Sequence, residues 1–370
     1  MKPLRLAGLV LAVFLCPAIL ALAVARTAAQ TADDGLPRAE LIGALTLTHP
    51  GRWFGGFSGI DLRDTGTDLL LLGDRGRWAR ARLVRRDGQA VAAEGWTSAR
   101  IKDPDGRPWP RGFTDAEGLA RLPDGTLCLS YEGETRVDCH ARPDAPAHPL
   151  PRIGDFGLMP ENGGLEALAA DDRGRLYTLS EQMRSADGRI PVYRWDGQAW
   201  SVVLHLPDQG GFVPVGADIH DGQLYLLLRR FSGIGFRSRL IRLPLPDGAS
   251  TAPVTPQVLL QTGPGTHDNL EGVSVWRDGD GRLIATMISD DNLNWFQRTE
   301  LVEYLLPEPP GAAAHGAARQ RADSAAQGAR QGTATGATQA TAAATHEAAT
   351  PGRQPRLAGN AALASGAQGD

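Results

Sequence analysis

A small or acidic residue, a glycine-like residue and an apolar one recur five times along this chain, each followed about ten residues later by a strand-like run ending in charge. The phrase reads Ser58-Gly59-Ile60, Glu117-Gly118-Leu119, Glu166-Ala167-Leu168, a degenerate Gly216-Ala217-Asp218-Ile219, and Glu271-Gly272-Val273. The runs that follow end in Leu72-Gly73-Asp74-Arg75, Ser130-Tyr131-Glu132, Leu179-Ser180-Glu181, Leu228-Arg229-Arg230 and Ile288-Ser289-Asp290-Asp291. A period of roughly fifty residues built from short strands is what radial repetition of β-sheets produces. The expected fold is therefore an all-β propeller occupying residues 38–306, with five blades. Six smaller blades fit only if residues 92–102, in the longest gap between motifs, supply extra strands. The alternating stretch over residues 41–48 is expected to pair with residues 301–306, so that strands from both chain ends close the ring and remove the edges of an open sheet. Asp124-Gly125, Asp221-Gly222 and Asp280-Gly281 stand where tight hairpin turns are needed.

The period also says where the charge goes. In a propeller blade the innermost strand lines the channel and the second runs antiparallel to it, so the start of the first and the end of the second share one mouth. One rim should carry Glu117, Glu166, Glu271, Asp74, Glu132, Glu181, Asp290 and Asp291, interrupted by Arg75, Arg229 and Arg230. Carboxylates crowded in this way favour a hard cation such as Ca²⁺, bound through oxygen. The runs Asp268-Asn269-Leu270-Glu271 and Asp290-Asp291-Asn292 concentrate such oxygens in one repeat. Asp74, Asp268, Glu271, Asp290 and Asp291 are accordingly the candidate ligands, and Glu117, Glu166 and Glu271 the candidate catalytic carboxylates. Arg75, Arg229 and Arg230 are candidates for holding an anionic substrate group. The bland reading of each carboxylate is that it accepts backbone N–H groups at a strand start, and that of Arg229 is that it neutralises neighbouring acids. Asp61, Asp64 and Asp172 read as turn or surface residues, and the aromatics of Trp53-Phe54-Gly55-Gly56-Phe57 and Asn294-Trp295-Phe296 as packing between blades.

The chain ends belong to other tasks. Lys2 and Arg5 precede an apolar run over residues 6–24 followed by small residues, the pattern of a signal peptide over residues 1–30. The run is also long enough for a retained anchor; cleavage, leaving no membrane span, is the expectation. Leu15 before Cys16 does not suit a lipoprotein site. Residues 307–370 are rich in Ala, Gly, Gln and Thr with almost no apolar anchors, the composition of a disordered tail. Export permits the other two cysteines to pair. A hairpin around Gly133-Glu134 sets Cys128 opposite Cys139, which suits a disulfide; two buried thiols are the alternative.

Several functions are disfavoured. Without the basic leader the core is more acidic than the whole-chain net charge of −4, and no Lys/Arg stripe with interleaved aromatics is present, so nucleic acid is not an expected partner. Gly56-Phe57-Ser58-Gly59-Ile60 misses the last glycine of a serine-hydrolase elbow. The eight histidines are scattered, without a paired-histidine zinc motif.

Gly56-Phe57-Ser58-Gly59-Ile60, Leu72-Gly73-Asp74-Arg75-Gly76, Asp115-Ala116-Glu117-Gly118-Leu119, Asn162-Gly163-Gly164-Leu165-Glu166-Ala167-Leu168, Phe231-Ser232-Gly233-Ile234 and Asp268-Asn269-Leu270-Glu271-Gly272, in this order, resemble the phytase-like family named for the esterase-like activity of phytase. The resemblance covers residues 51–306. It implies a periplasmic or secreted bacterial propeller that hydrolyses a phosphate or carboxylic ester; it supplies no catalytic assignment. The leading expectation is a monomeric exported hydrolase of a small anionic ester, assisted by Ca²⁺ or another divalent cation. Its rivals are a non-catalytic propeller that binds a ligand or envelope partner through the same rim, and a calcium-dependent lactonase-like hydrolase.

Overall fold

The computed structural model describes residues 38–110 and 112–310, which form a five-bladed propeller of antiparallel four-stranded sheets. The expected signal peptide and residues 311–370 of the expected tail lie outside the described residues. Among the described residues no helix is long and apolar enough to cross a membrane.

Blade 1 comprises β2 (Phe57–Arg63), β3 (Asp68–Gly73), β4 (Arg77–Arg86) and β5 (Gln89–Arg100). Blade 2 comprises β6 (Ala116–Arg121), β7 (Leu127–Tyr131), β8 (Arg136–His140) and the short β9 (His148–Pro149). Blade 3 is β10 (Leu165–Ala170), β11 (Leu176–Ser180), β12 (Ile190–Trp195) and β13 (Trp200–Leu206). Blade 4 is β14 (Val213–His220), β15 (Gln223–Phe231), β16 (Phe236–Pro244) and β17 (Gln257–Gln261). Blade 5 takes β18 (Asn269–Arg277), β19 (Leu283–Asp290) and β20 (Glu300–Leu305) from the end of the chain and its outermost strand, β1 (Glu40–Thr46), from the beginning. Leu41 faces Tyr304 and Thr46 faces Glu300 across that closure. The stretch that left six blades open, residues 92–102, contributes instead to the single long outer strand β5.

Second strands are continuous apolar runs because each is covered on both faces by neighbouring blades. Leu69, Leu71 and Leu72 in β3 and Leu224 through Leu228 in β15 are fully buried for this reason. The Asp221-Gly222 pair turns β14 into β15 with φ of 50° and 71°, the left-handed pair that a two-residue hairpin of this hand requires. Cys128 and Cys139 face each other on β7 and β8 with Cα atoms 4.0 Å apart and their sulfurs bonded.

One irregularity repeats in every blade and positions everything that follows. The pairing of first and second strands slips once in each blade, between Phe57 and Gly59, Ala116 and Leu119, Leu165 and Ala167, Pro214 and Gly216, and Leu270 and Gly272. Such a bulge bends the strand and re-aims a side chain. The re-aimed residues are Ser58, Glu117, Glu166, Val215 and Glu271. The glycine that follows is needed for space, because the inner strands touch there. A Cβ on Gly118 would lie 2.8 Å from the Glu166 carbonyl oxygen and 2.7 Å from the Leu168 Cβ, both in blade 3. Gly118→Ala should therefore lower stability by about 2–3 kcal/mol, as overpacking does, measurable by urea unfolding; an unchanged midpoint would mean that the inner strands separate freely.

The register corrects the reading of the fourth repeat. Val215-Gly216, and not Ala217-Asp218, occupies the Glu-Gly position. Asp218 lies further along the strand, where it accepts from the N–H groups of Val275 (2.6 Å) and Ile219 (2.8 Å) and ties blade 4 to blade 5. Asp61 is likewise no surface residue: it is buried in an ion pair with Arg121 of blade 2 at 2.5 Å. Trp53 and Phe54 pack against Trp96, at ring separations of 6.2 and 5.2 Å. Trp295 and Phe296 do not pack between blades; they are 95% and 67% exposed on the β19–β20 loop.

Candidate functional site

The five bulge residues take equivalent places near one mouth of the channel, and the second strands deliver a second ring beside them. Glu117, Glu166 and Glu271 repel one another there, while Val215 packs into the apolar core and Ser58 donates to the Ala116 carbonyl at 2.7 Å. The residues that follow the slipped pairs are Asp74, Glu132, Glu181, Arg229 and Asp290. Blade by blade the mouth thus carries Ser58 with Asp74, Glu117 with Glu132, Glu166 with Glu181, Val215 with Arg229, and Glu271 with Asp290. Seven carboxylates stand against one guanidinium, and blade 4 is the blade where both acids have been replaced.

That guanidinium is fully engaged by the ring. Arg229 donates to Glu181 Oε1 at 3.0 Å, to Asn269 Oδ1 at 3.0 Å and to Glu271 Oε1. Glu271 receives a further bond from Asn269 Nδ2 at 2.8 Å. Arg229 therefore neutralises blades 3 and 5 and is not free to clamp a substrate anion. Arg230 donates to the Gly210 carbonyl at 3.0 Å and lines the blade 4 side of the mouth beside Arg229. Arg75 sits at the lip, 3.7 Å from Asp74, with 43% of its side chain exposed, and is the arginine best placed to meet a ligand.

On the other side of the mouth Arg75 offsets Asp74 only in part, and burial shows in the proton affinities of the acids. Burial pushes Glu117 well above the usual carboxylate range, with Glu166 and Glu271 adding repulsion. Glu166 is raised in the same way, by burial and then by Glu181 and Glu271. Glu271 is pushed up to about 8 by burial against the opposing pull of Arg229, and Asp74 up to about 7 by burial and the Asp290 charge. Asp115, Glu132 and Asp290 are raised too, each chiefly by burial. Like charges in a desolvated mouth are relieved by protons or by a cation.

The carboxylates that converge are in blade 2. Ligand oxygens of Asp115, Glu117 and Glu132 all lie within 4.8 Å of one another. The Glu132 N–H donates to the Asp115 carbonyl at 2.9 Å, which holds the two ends of the β6–β7 pair together, and Glu132 Oε1 accepts from the Gly163 N–H. Oxygens of one Ca²⁺ shell, each 2.3–2.6 Å from the ion, are separated by at most about 5 Å, so this hard-oxygen set fits such an ion. Asp115 was legible only as part of the family motif, because it precedes the strand and has no counterpart in the other repeats.

The ligand set expected in blade 5 is not assembled in this way. Asp291 accepts from the N–H groups of Gly56 and Leu293, both at 3.0 Å, and from the Thr299 hydroxyl at 2.9 Å, so it braces the blade 5 loop against blade 1. Asp268 accepts from the Asn269 N–H, Gln297 Nε2 and the Arg298 N–H and holds the same loop from below. Asp290 accepts from the Asn292 N–H at 2.7 Å and interacts with Asp74 across the blade 5/blade 1 junction. For Asp268 and Asp291 the bracing role is thus the one the geometry supports, while Glu271, Asp74 and Asp290 remain in the acidic mouth.

Residues 52–293 match the family described as phytase-like, esterase-like activity of phytase. No curated protein matches the chain. Among solved structures, an endo-arabinase from Bacteroides thetaiotaomicron is 14% identical over 74% of this chain and 98% of its own, with a TM-score of 0.42. A gluconolactonase from Xanthomonas campestris is 15% identical over 68% and 72%, with a TM-score of 0.36. A catalytically inactive virginiamycin B lyase from Staphylococcus aureus is 13% identical over 72% and 74%, also at 0.36. Likenesses this weak carry no information on chemistry.

Proposed function

Since the chain belongs to the phytase-like family, we propose that it is an exported hydrolase of a phosphate or carboxylic ester whose acidic mouth holds a divalent cation such as Ca²⁺. The observation that carries the reading is the convergence of Asp115, Glu117 and Glu132 in a mouth where seven carboxylates face one engaged arginine. A cation held there would polarise an ester oxygen and make a bound water more acidic. Glu166, buried, raised and in hydrogen-bond contact with Glu132, exchanges a proton with the water or the leaving oxygen. Glu271 is fixed by Arg229 and Asn269 and keeps the blade 5 side of the mouth acidic. Arg75 orients the anionic or polarised end of the substrate. The signal-like residues 1–30 support a periplasmic or secreted location.

The test is thermal unfolding of the purified protein, with chelator and with added Ca²⁺, at pH 5 and pH 8. The raised carboxylates make the sign definite. A carboxyl whose folded pKa lies above its unfolded value is protonated in the fold and ionised in the unfolded chain, so stability falls as pH rises from the unfolded value near 4 through the folded value. With Asp74 near 7 and Glu271 near 8, the chelated protein should lose stability between about pH 4 and pH 8. Ca²⁺ should restore it at pH 8 by several degrees, do little at pH 5, and lose its effect in Asp115→Asn. A melting temperature indifferent to Ca²⁺ at pH 8, with no metal found in the protein, would shift the weight to a propeller that binds a ligand without catalysis.

A further inference from the structure

Apolar side chains are exposed where the acids are. Nine large hydrophobic residues are exposed among the described residues; six of them lie in connections that enter first strands or leave second strands, those of the acidic mouth, and a seventh, Phe231, ends β15 beside them. Ile234 at 85% and Trp295 at 95% exposure are the extremes. Apolar groups gathered on one face of an otherwise polar surface mark a contact site. Next to Arg229 they enclose a space. A cleft of about 400 Å³ is lined by Glu181, Arg229, Arg230, Phe231, Phe236 and Asn292. Its aromatic wall is the pair Phe231 and Phe236, with ring centroids 5.2 Å apart. The Arg229 guanidinium, 5.9 Å from the Phe236 ring, joins that wall to the ring of carboxylates.

We infer that this cleft seats an apolar arm of the substrate, so that the substrate class is an ester carrying an acyl or aryl chain and little negative charge. The inference rests on the ester-hydrolase reading and narrows it. A polyanion such as a polyphosphorylated sugar would meet seven carboxylates with Arg229 already paired and Arg230 tied to the Gly210 carbonyl, and would leave the Phe231 and Phe236 surface in water. A neutral ester avoids the repulsion and buries the aromatic wall. Blade 4 is where this is feasible, because Val215 and Arg229 stand where blades 2, 3 and 5 each carry two acids, and it is the one blade with neither.

Binding can be read without hydrolysis. N-butylacetamide and N-octylacetamide are uncharged amide counterparts of esters, and their affinities for the full chain in the presence of Ca²⁺ can be measured by calorimetry. The octyl compound should bind about tenfold more tightly, less than full burial of four methylenes would give because the cleft is open on one side. Phe231→Ser, at a position 63% exposed and so without consequence for folding, should remove most of that difference, whereas Trp295→Ser should keep it. Equal affinities for the two amides, or a difference that survives Phe231→Ser, would overturn the inference. So would binding of phosphatidylcholine vesicles that is lost in Trp295→Ser, with no binding of either monomeric amide, since the apolar face would then be a lipid contact. Chain-length-dependent binding in a protein that hydrolyses no ester would uphold the cleft and sink only the hydrolase reading.

Discussion

Glu117→Gln is expected to lower ester turnover by about 10²–10³-fold while the chelated protein melts no earlier, and at pH 8 later, than the chelated wild type. The two halves of this expectation come from the same environment. Glu117 is 8% exposed, its described hydrogen-bond partner is Asp115, and the charges it faces across the mouth are Glu166, Glu271, Asp115 and Glu132. Glutamine keeps the shape but removes a charged oxygen that a cation in the Asp115, Glu117 and Glu132 cluster would need, and with it the repulsion felt by the metal-free mouth. Because the folded pKa of Glu117 is raised, the wild type pays for its ionisation as pH climbs above the unfolded value near 4.5, and the variant does not. The stability difference should thus be near zero at pH 4 and favour the variant by pH 8. A carboxylate that served only to accept backbone N–H groups would behave in the opposite way: its replacement would lower the melting temperature and leave turnover alone. Measuring the two quantities on one preparation separates the cases, and an unchanged kcat would remove Glu117 from the chemistry.

The repeat was visible in the sequence because the physical demand behind it is local. Each blade needs a residue without bulk where inner strands touch, and Gly59, Gly118, Ala167, Gly216 and Gly272 meet it at every turn of the ring. The acidic mouth followed from strand direction alone, and it is where antiparallel pairing puts it. What was not legible is how each acid is used. Asp291 and Glu271 look alike in the chain, yet one is saturated by Gly56, Leu293 and Thr299 and the other faces the channel. That distinction depends on a contact between the first and last blades, more than two hundred residues apart. The fourth repeat misled for a related reason: Asp218 supplied the acid that the pattern asked for, three residues beyond the bulge that Val215 occupies. The apolar tips of the mouth were not legible as such: Trp295 and Phe296 read as packing between blades, since periodicity reports buried faces and says nothing about exposed loops.

Arg229→Met should be the most destabilising change in the mouth, about 3–5 kcal/mol at about pH 9.5, where it removes one member of a buried ion cluster and the acids it leaves behind must ionise or hold a proton at a cost. The Arg229, Glu181 and Glu271 side chains are 20%, 13% and 9% exposed, too little for water to compensate. The loss should depend on pH with a definite sign. Glu271 faces Arg229, Asn269, Asp290 and Asp74, and is raised to about 8 even with the guanidinium present. Without it the folded pKa rises further, so the deficit of the variant opens only above the wild type's folded value of about 8 and is complete only above the variant's own, higher value. At pH 5 protonation neutralises Glu271 in both proteins and the gap should close to about 1–2 kcal/mol, the residue being the lost bond to Glu181. Adding Glu271→Gln to Arg229→Met should recover much of the stability at about pH 9.5, a coupling that a double-mutant cycle reads directly. If Arg229→Met unfolds at the same urea concentration as the wild type at about pH 9.5, then the mouth does not depend on this guanidinium for charge balance, and the replacement of both acids in blade 4 needs another cause. If the coupling appears, blade 4 is the hinge of the design: the arginine that eases the ionisation of Glu271 also breaks the acidic ring at the one place where an uncharged, apolar group can approach it.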